Sequence, residues 1–195
     1  MSFNNNYNGN NNGGYNNNNQ QQNGDKKKTN FKIAKVWGSD GCMDVTTWVA
    51  DTGVKTILSI KAAVGKDPST GANVYEQKMP NELPRFFMNI DPLRAIIDAL
   101  DGVPAEQVNV VYDKGHGDKL TIVGSSTNVK ITIDSSKNGS RTMTIDAFNL
   151  NGKNVHAAFA NFVEYLKICY KKALFNKLDP DEFGMVSGSD EELPI

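Results

Sequence analysis

From Phe31 to Leu178, apolar and polar residues alternate at every second position through most of the chain, and a helical rhythm interrupts that alternation only twice. A period of two sends successive side chains to opposite faces of a strand, so each such stretch expects one face in a core and one in water. Strands with one wet face belong to antiparallel sheets. The first group is Phe31–Trp37, Cys42–Ala50 and Val54–Val64, with shorter pieces at Val74–Met79 and Arg85–Ile90 separated by a gap that holds Pro80 and Pro84. Within the third stretch Val54, Thr56, Leu58, Ile60 and Ala62 share one face, and Lys55, Ile57, Ser59 and Lys61 share the other.

The first interruption is a helix in which Leu93, Ile96, Ile97 and Leu100 recur as one apolar stripe. Asp91 suits its cap, Pro92 its first position and Gly102 its end. The alternation then returns in Gln107–Tyr112, Lys119–Val123, Asn128–Asp134 and Arg141–Phe148, with Asn138-Gly139 as a strong turn signal before the last. The second interruption, Lys153 to Asn176, carries Val155, Phe159, Phe162, Leu166, Cys169 and Ala173 on one seam. A helix of that length runs for roughly 35 Å, enough to cover a sheet. The expected fold class is therefore α+β: two antiparallel four-stranded sheets, each followed by a helix. The 148 residues from 31 to 178 suffice for a real core, burying roughly 70% of the unfolded chain's surface.

The ends have a different character. Residues 1–30 begin with 24 positions that hold 12 Asn, 3 Gln and 4 Gly, broken only by Phe3, Tyr7 and Tyr15. Such a segment has little to bury and is expected to stay disordered, as a linker or as a weakly sticky arm that promotes clustering. Residues 179–195 hold six acids and no base, a net charge of −6, and are likewise expected to be a disordered tail. The arm carries +2 and the 31–178 body +3, so a total of −1 conceals a basic body with a basic arm and an acidic tail. That partition suits a polyanionic partner. No run of 18 apolar residues is present, and Met-Ser-Phe-Asn-Asn-Asn has neither the basic start nor the apolar stretch of an export signal. Cys42 and Cys169 are too few for a disulfide framework, so reduced thiols and a cytoplasmic protein are expected.

Binding single-stranded nucleic acid without sequence choice requires cations that track phosphates and flat rings that stack on bases. Outward strand positions supply both: Lys35, Lys55, Lys61, Lys78, Lys119 and Lys130, interleaved with Trp37, Trp48 and Tyr75. A lysine-rich strand surface also protects sheet edges, and a tryptophan also fills cores, so the set carries more weight than any member.

Four strands plus a helix, in tandem, resembles the Whirly single-stranded-DNA-binding fold, which the transcriptional coactivator positive cofactor four shares as a half-unit dimer. Lys61-Ala62-Ala63-Val64, followed by Pro68, resembles the Lys-Ala-Ala-Leu strand motif of plant Whirly proteins. Ser59-Ile60 stands where that family has Lys-Gly, and Val64 replaces its Leu. Similar folds occur in bacteriophage single-strand binding proteins. The resemblance implies a DNA-binding protein of replication, recombination or repair, in a bacterium or a phage-infected host, and the half-buried sheets and long helix seam make a homo-oligomer the expectation. The acidic tail, with Phe183 and the closing Asp190-Glu191-Glu192-Leu193-Pro194-Ile195, resembles the C-terminal tip of bacterial single-stranded-DNA-binding proteins, which docks replication and repair proteins. Physically, an unfolded acidic segment can mimic nucleic acid or present a small apolar anchor to a partner.

Catalytic signals are poor, and a non-enzymatic protein needing no cofactor or metal is expected. His116, between Gly115 and Gly117, lacks a second His or Cys nearby; His156 sits one residue off the helix seam; Cys42 has no basic neighbour in sequence, and Cys169 falls on the apolar seam. Gly65-Lys66-Asp67 lacks the rest of a phosphate loop. Two other readings stay open: a virion or other structural assembly protein, and an RNA-binding module of the same fold.

Overall fold

The computed structural model describes residues 29–50 and 53–175. The arm as far as residue 28, and the tail with Phe183, Asp190, Glu191, Glu192, Leu193, Pro194 and Ile195, lie outside the described residues. Strands β1 (Thr29–Trp37), β2 (Gly41–Ala50), β3 (Gly53–Lys66), β4 (Asn73–Tyr75) and β5 (Arg85–Met88) precede helix α1 (Ile90–Leu100). Strands β6 (Asn109–Asp113), β7 (Lys119–Gly124), β8 (Asn128–Ser135) and β9 (Gly139–Asp146) follow, then β10 (Phe148–Leu150), β11 (Lys153–Val155) and helix α2 (Ala157–Phe175). The fold is α+β and every strand pairing is antiparallel among the described residues.

The first sheet runs β1-β2-β3, and β3 is long enough for two further partners. Its middle, Thr56–Ser59, pairs with β5, and its far end, Ala63–Lys66, pairs with β4. This sheet therefore has five strands where four were expected, and β4 stops at Tyr75, short of the expected Met79. The second sheet is β6-β7-β8-β9.

Both helices start elsewhere than their sequence signals suggest. Helix α1 begins at Ile90, with Asn89 at its cap and no side-chain cap bond, so Asp91 and Pro92 fall inside the first turn. Its apolar stripe extends back to Ile90, and burying that residue selects the earlier start. Gly102 ends it as expected, at φ +72°. The final helix starts at Ala157, because Asn151 (φ 53°) and Gly152 (φ 78°) reverse the chain into the β10–β11 hairpin. Asn-Gly is the residue pair that this tight turn favours, so Val155 belongs to a strand while Phe159, Phe162, Leu166, Cys169 and Ala173 keep the buried seam.

One core unites the layers. Val45, Leu58, Ile60 and Phe86 from the first sheet meet Ile122, Ile131, Ile133 and Met143 from the second, with Leu93, Ile97, Phe162 and Leu166 from the helices. Each of the largest of these side chains stabilises by ~1.5–3 kcal/mol relative to exposure. Polar ties then lock the two sheets together. The β1–β2 turn sits against β9: Asp40 accepts bonds from Thr144 N at 2.6 Å and Thr144 Oγ1 at 2.7 Å, and Ser39 N donates to Thr144 O at 2.9 Å. A Cβ at Gly38 would collide with that same carbonyl, so glycine permits the approach. Beyond β4, Glu76 accepts from the Ala62 N–H at 3.0 Å and from Arg141 of β9 at 3.1 and 3.2 Å.

The Arg141 hydrogen bonds hold the Glu76 carboxyl at about 2, against the opposing effect of burial and with help from the Ala62 amide. A carboxyl depressed on folding adds stability above its unfolded value near 4.5, and that contribution fades as pH falls toward 2. Glu76→Gln should therefore lower stability at neutral pH by up to about 3 kcal/mol. Its denaturant midpoint should also fall less steeply than the wild type's as pH drops from 4.5 to 2. Identical slopes in that window would contradict the clasp.

Candidate nucleic-acid interface

With the alternate residues of the first sheet sealed in the core, register settles what its other face carries. Across β1, β2, β3 and β5, one row reads Lys35, Asp44, Ser59, Arg85. The next reads Lys32, Thr46, Ile57, Phe87. Flanking them lie Trp48 opposite Lys55, and Trp37 and Lys61 on either side of Cys42. A cleft of about 570 Å³ opens on this face, lined by Lys32, Asp44, Trp48, Ile57, Arg85 and Phe87, with Pro80 also in its wall.

Rings and cations alternate over this surface. The Lys55 ammonium lies 5.7 Å from the Trp48 ring centre, Arg85 lies 5.3 Å from that of Phe87, and Lys35 lies 5.1 Å from that of Trp37. Trp37 is 57% exposed and leans on Tyr75, their centroids 5.4 Å apart at 49°. Asp44 is the acid of the cleft, 2.9 Å from Lys32 and 3.7 Å from Lys35. Among the described residues no carboxylate lies within ion-pair distance of Lys55, Lys61 or Arg85, which leaves those charges available to an anionic ligand. Lys114, from the β6–β7 loop, packs 4.8 Å from the Phe86 ring, and burial pulls its ammonium below the ordinary value, as does Lys55 nearby.

Of the residues singled out from the sequence, the structure gathers Lys35, Trp37, Trp48, Lys55, Lys61 and Tyr75 on this side of the first sheet. It separates the remaining three. Lys78 lies beyond β4, 3.4 Å from Glu76, and is drawn into the clasp between sheets. Lys119 and Lys130 lie on the outer face of the second sheet, Lys119 within 3.7 Å of Asp134. That face is a field of Thr121, Thr132, Thr142 and Thr144 with Val111 and Val123, and it has no aromatic ring.

Three side chains of the cleft, Arg85, Phe87 and Lys32, are not among the residues that the sequence singles out. Arg85 and Phe87 occupy outward positions of the short β5, and their alternation with the buried Phe86 and Met88 was the available signal. Lys32 had none. Three residues from Lys35, it would face inward in a regular strand, but a bulge between Lys32 and Ala34 resets the alternation and turns both lysines outward. The partly buried Ile33 packs against the core at that bulge.

Both cysteines are buried, and His116 lies in a loop. No three His, Cys, Asp or Glu side chains are grouped to hold a metal among the described residues. His116 sits at φ 56° at the tip of the β6–β7 loop, where Asp113 accepts the Gly115 N–H at 2.7 Å. Cys42 does have basic neighbours in space, since pairing brings Lys35 and Lys61 beside it, yet burial outweighs them and pushes its thiol up. Burial likewise pushes the Cys169 thiol up to about 11. Among the described residues no helix is long and apolar enough to cross a membrane. Compared with protein-family models, with curated proteins and with solved structures, the chain matches none.

The thiols provide a direct check. Cys42 and Cys169 are 1% and 0% exposed, so neither should react with an aromatic disulfide reagent in the native protein, and both should react at once in guanidinium. A thiol that titrates without unfolding would contradict the packing of its sheet or helix.

Proposed function

We propose that this protein binds single-stranded DNA without sequence preference, as a non-catalytic component of replication, recombination or repair in the cytoplasm of a bacterium or phage-infected host. The observation that carries the reading is the cleft on the first sheet, where Trp48 and Phe87 stand beside Lys32, Lys55 and Arg85. Rings that line an open cleft take unpaired bases by their faces, at ~1–3 kcal/mol for each base stacked, and every base has such a face. A duplex keeps its bases stacked inside and cannot use the rings. The cations follow the phosphates and supply the salt-dependent part of the affinity.

Two further features support this reading. Setting aside the short β4 and the β10–β11 hairpin, the chain runs through four strands and a helix twice, the order of a Whirly-like tandem. The acidic tail, by its sequence, suits recruitment of partner proteins through Leu193-Pro194-Ile195. No side chain of the cleft is committed to reading a 2′-hydroxyl, so RNA of the same length is a necessary comparison.

Anisotropy titrations with single-stranded DNA, duplex DNA and RNA test the proposal, and tight binding of the single strand with weak binding of the duplex is expected. Trp48→Ala and Phe87→Ala should each weaken the single-strand complex by roughly 5- to 150-fold, the equivalent of one lost stacked base. Lys55→Ala and Arg85→Ala should each flatten the plot of log affinity against log salt by about 0.7, the single-strand increment per phosphate contact. Lys119→Ala and Lys130→Ala should leave that slope unchanged. Absence of binding to any nucleic acid would overturn the reading in favour of a structural assembly role.

A further inference from the structure

Every strand residue of the β10–β11 hairpin is exposed. Pairing puts Phe148, Leu150, Lys153 and Val155 on one face and Asn149 and Asn154 on the other. The asparagine face is the one fastened to the body: Asn154 Nδ2 donates to Ser126 O at 2.8 Å, and Asn149 Nδ2 donates to Asn154 Oδ1 at 3.3 Å. His156, at the base of the hairpin, lies 3.3 Å from the same Ser126 carbonyl. The apolar face therefore points to solvent, with Phe148 67%, Leu150 54% and Val155 39% exposed. A two-stranded ribbon is marginal by itself, and one that is tied to the body through an asparagine while its phenylalanine stays exposed is shaped for a partner.

The partner surface lies next to it. A largely apolar pocket of about 410 Å³ opens between the end of α1 and the start of α2, lined by Leu100, Val103, Pro104, Phe159 and Val163, and Val155 of the hairpin forms part of its wall. A cavity of ~150 Å³ already accepts a benzene ring, so this one has room for Phe148 with Leu150 behind it. Charge agrees with shape. The hairpin's one ionic residue is Lys153, whereas Asp101 and Glu164 line the pocket, sharing Lys167 at 2.6 and 2.8 Å and leaving the rim net negative.

We infer that the hairpin of one copy of this chain inserts Phe148 and Leu150 into the α1–α2 pocket of a second copy, with Lys153 reaching the Asp101–Glu164 rim. Knob and hole adjoin at Val155, so one two-fold axis brings each hairpin to the other's pocket and closes a symmetric dimer. The contact lies on elements other than the first sheet's outer face, and it stands whether or not that face binds nucleic acid.

Light scattering coupled to size-exclusion chromatography, over a wide concentration range, tests the contact on the full chain. The wild type should exceed its 21.4 kDa monomer mass. Phe148→Asp removes the knob, and Ala160→Arg fills the hole from an exposed helix position that borders it. Each should raise the dissociation constant by at least ~30-fold, the loss usual for an aromatic anchor, with the thermal midpoint of the monomer unchanged. Mixing the two variants should recover association, because one knob and one hole remain intact across that pair. Leu150→Asp serves as a second knob variant should Phe148→Asp fold poorly. A monomeric wild type overturns the inference. Unchanged association of Phe148→Asp and Leu150→Asp, or no recovery on mixing, overturns it equally.

Discussion

Burying Val45, Leu58, Ile60 and Phe86 of the first sheet against the helices and the second sheet is the constraint on which the rest depends. Antiparallel pairing allows no independent choice for the other face: once those residues are inside, Asp44, Trp48, Lys55, Ile57, Ser59, Arg85 and Phe87 are outside, in rows set by register. A slip of one residue would exchange the two sets and put Lys55 and Arg85 into the core. The core residues, by their apolar area, thus hold the cationic and aromatic side chains in place. Preorganisation of this kind favours binding, because the surface is ordered before a ligand arrives.

Apolar burial has little directional content, and the relative placement of the sheets rests on a few polar ties. Asp40 on Thr144 and Arg141 on Glu76 join β9 to two separate parts of the first sheet. Asn138, in the β8–β9 turn, adds a third tie by donating to the Asn81 and Leu83 carbonyls at 3.1 and 2.7 Å. The last of these borders the cleft, since Pro80 lies in its wall and Asn81 and Leu83 follow closely in the chain. The second sheet thereby helps to position the cleft's edge without contributing a ring to it.

Much of this could be read from the alternation alone. The faces of β3 emerged residue by residue, as did the stripe of α1 and the seam of α2, because periodic burial imprints itself on sequence. The departures share a physical cause, in that each depends on a local conformation that composition describes poorly. The bulge beside Lys32 inverts parity without an unusual residue to announce it. The reversal at Asn151-Gly152 was announced, but the apolar rhythm on either side of it also fits the start of a helix, and Val155 satisfied both patterns. Phe87 lay in a strand of four residues, too short for alternation to distinguish the two faces with any force. The site was therefore legible as a set of residue types and illegible as a place.

The contrast between the two sheets argues for where function resides. Both are antiparallel, both bury one face in the same core, and both carry lysines outside. If outward lysine served only to protect edges, the two outer faces should resemble each other. They do not: the second presents threonines, two of which, Thr132 and Thr142, bond to each other at 2.8 Å across the strands, with Val111 and Val123 exposed among them and no aromatic ring among the described residues of that face. The first presents Trp37 to solvent and Trp48 and Phe87 to an open cleft, each with a cation within 5.7 Å of its ring, and among the described residues Lys55 and Arg85 have no ion-pair partner. Water is a poor partner for the rings, and a flat aromatic anion is a good one for ring and cation together. That divergence of two similar frames is the reason the proposed reading puts its binding surface on the first sheet.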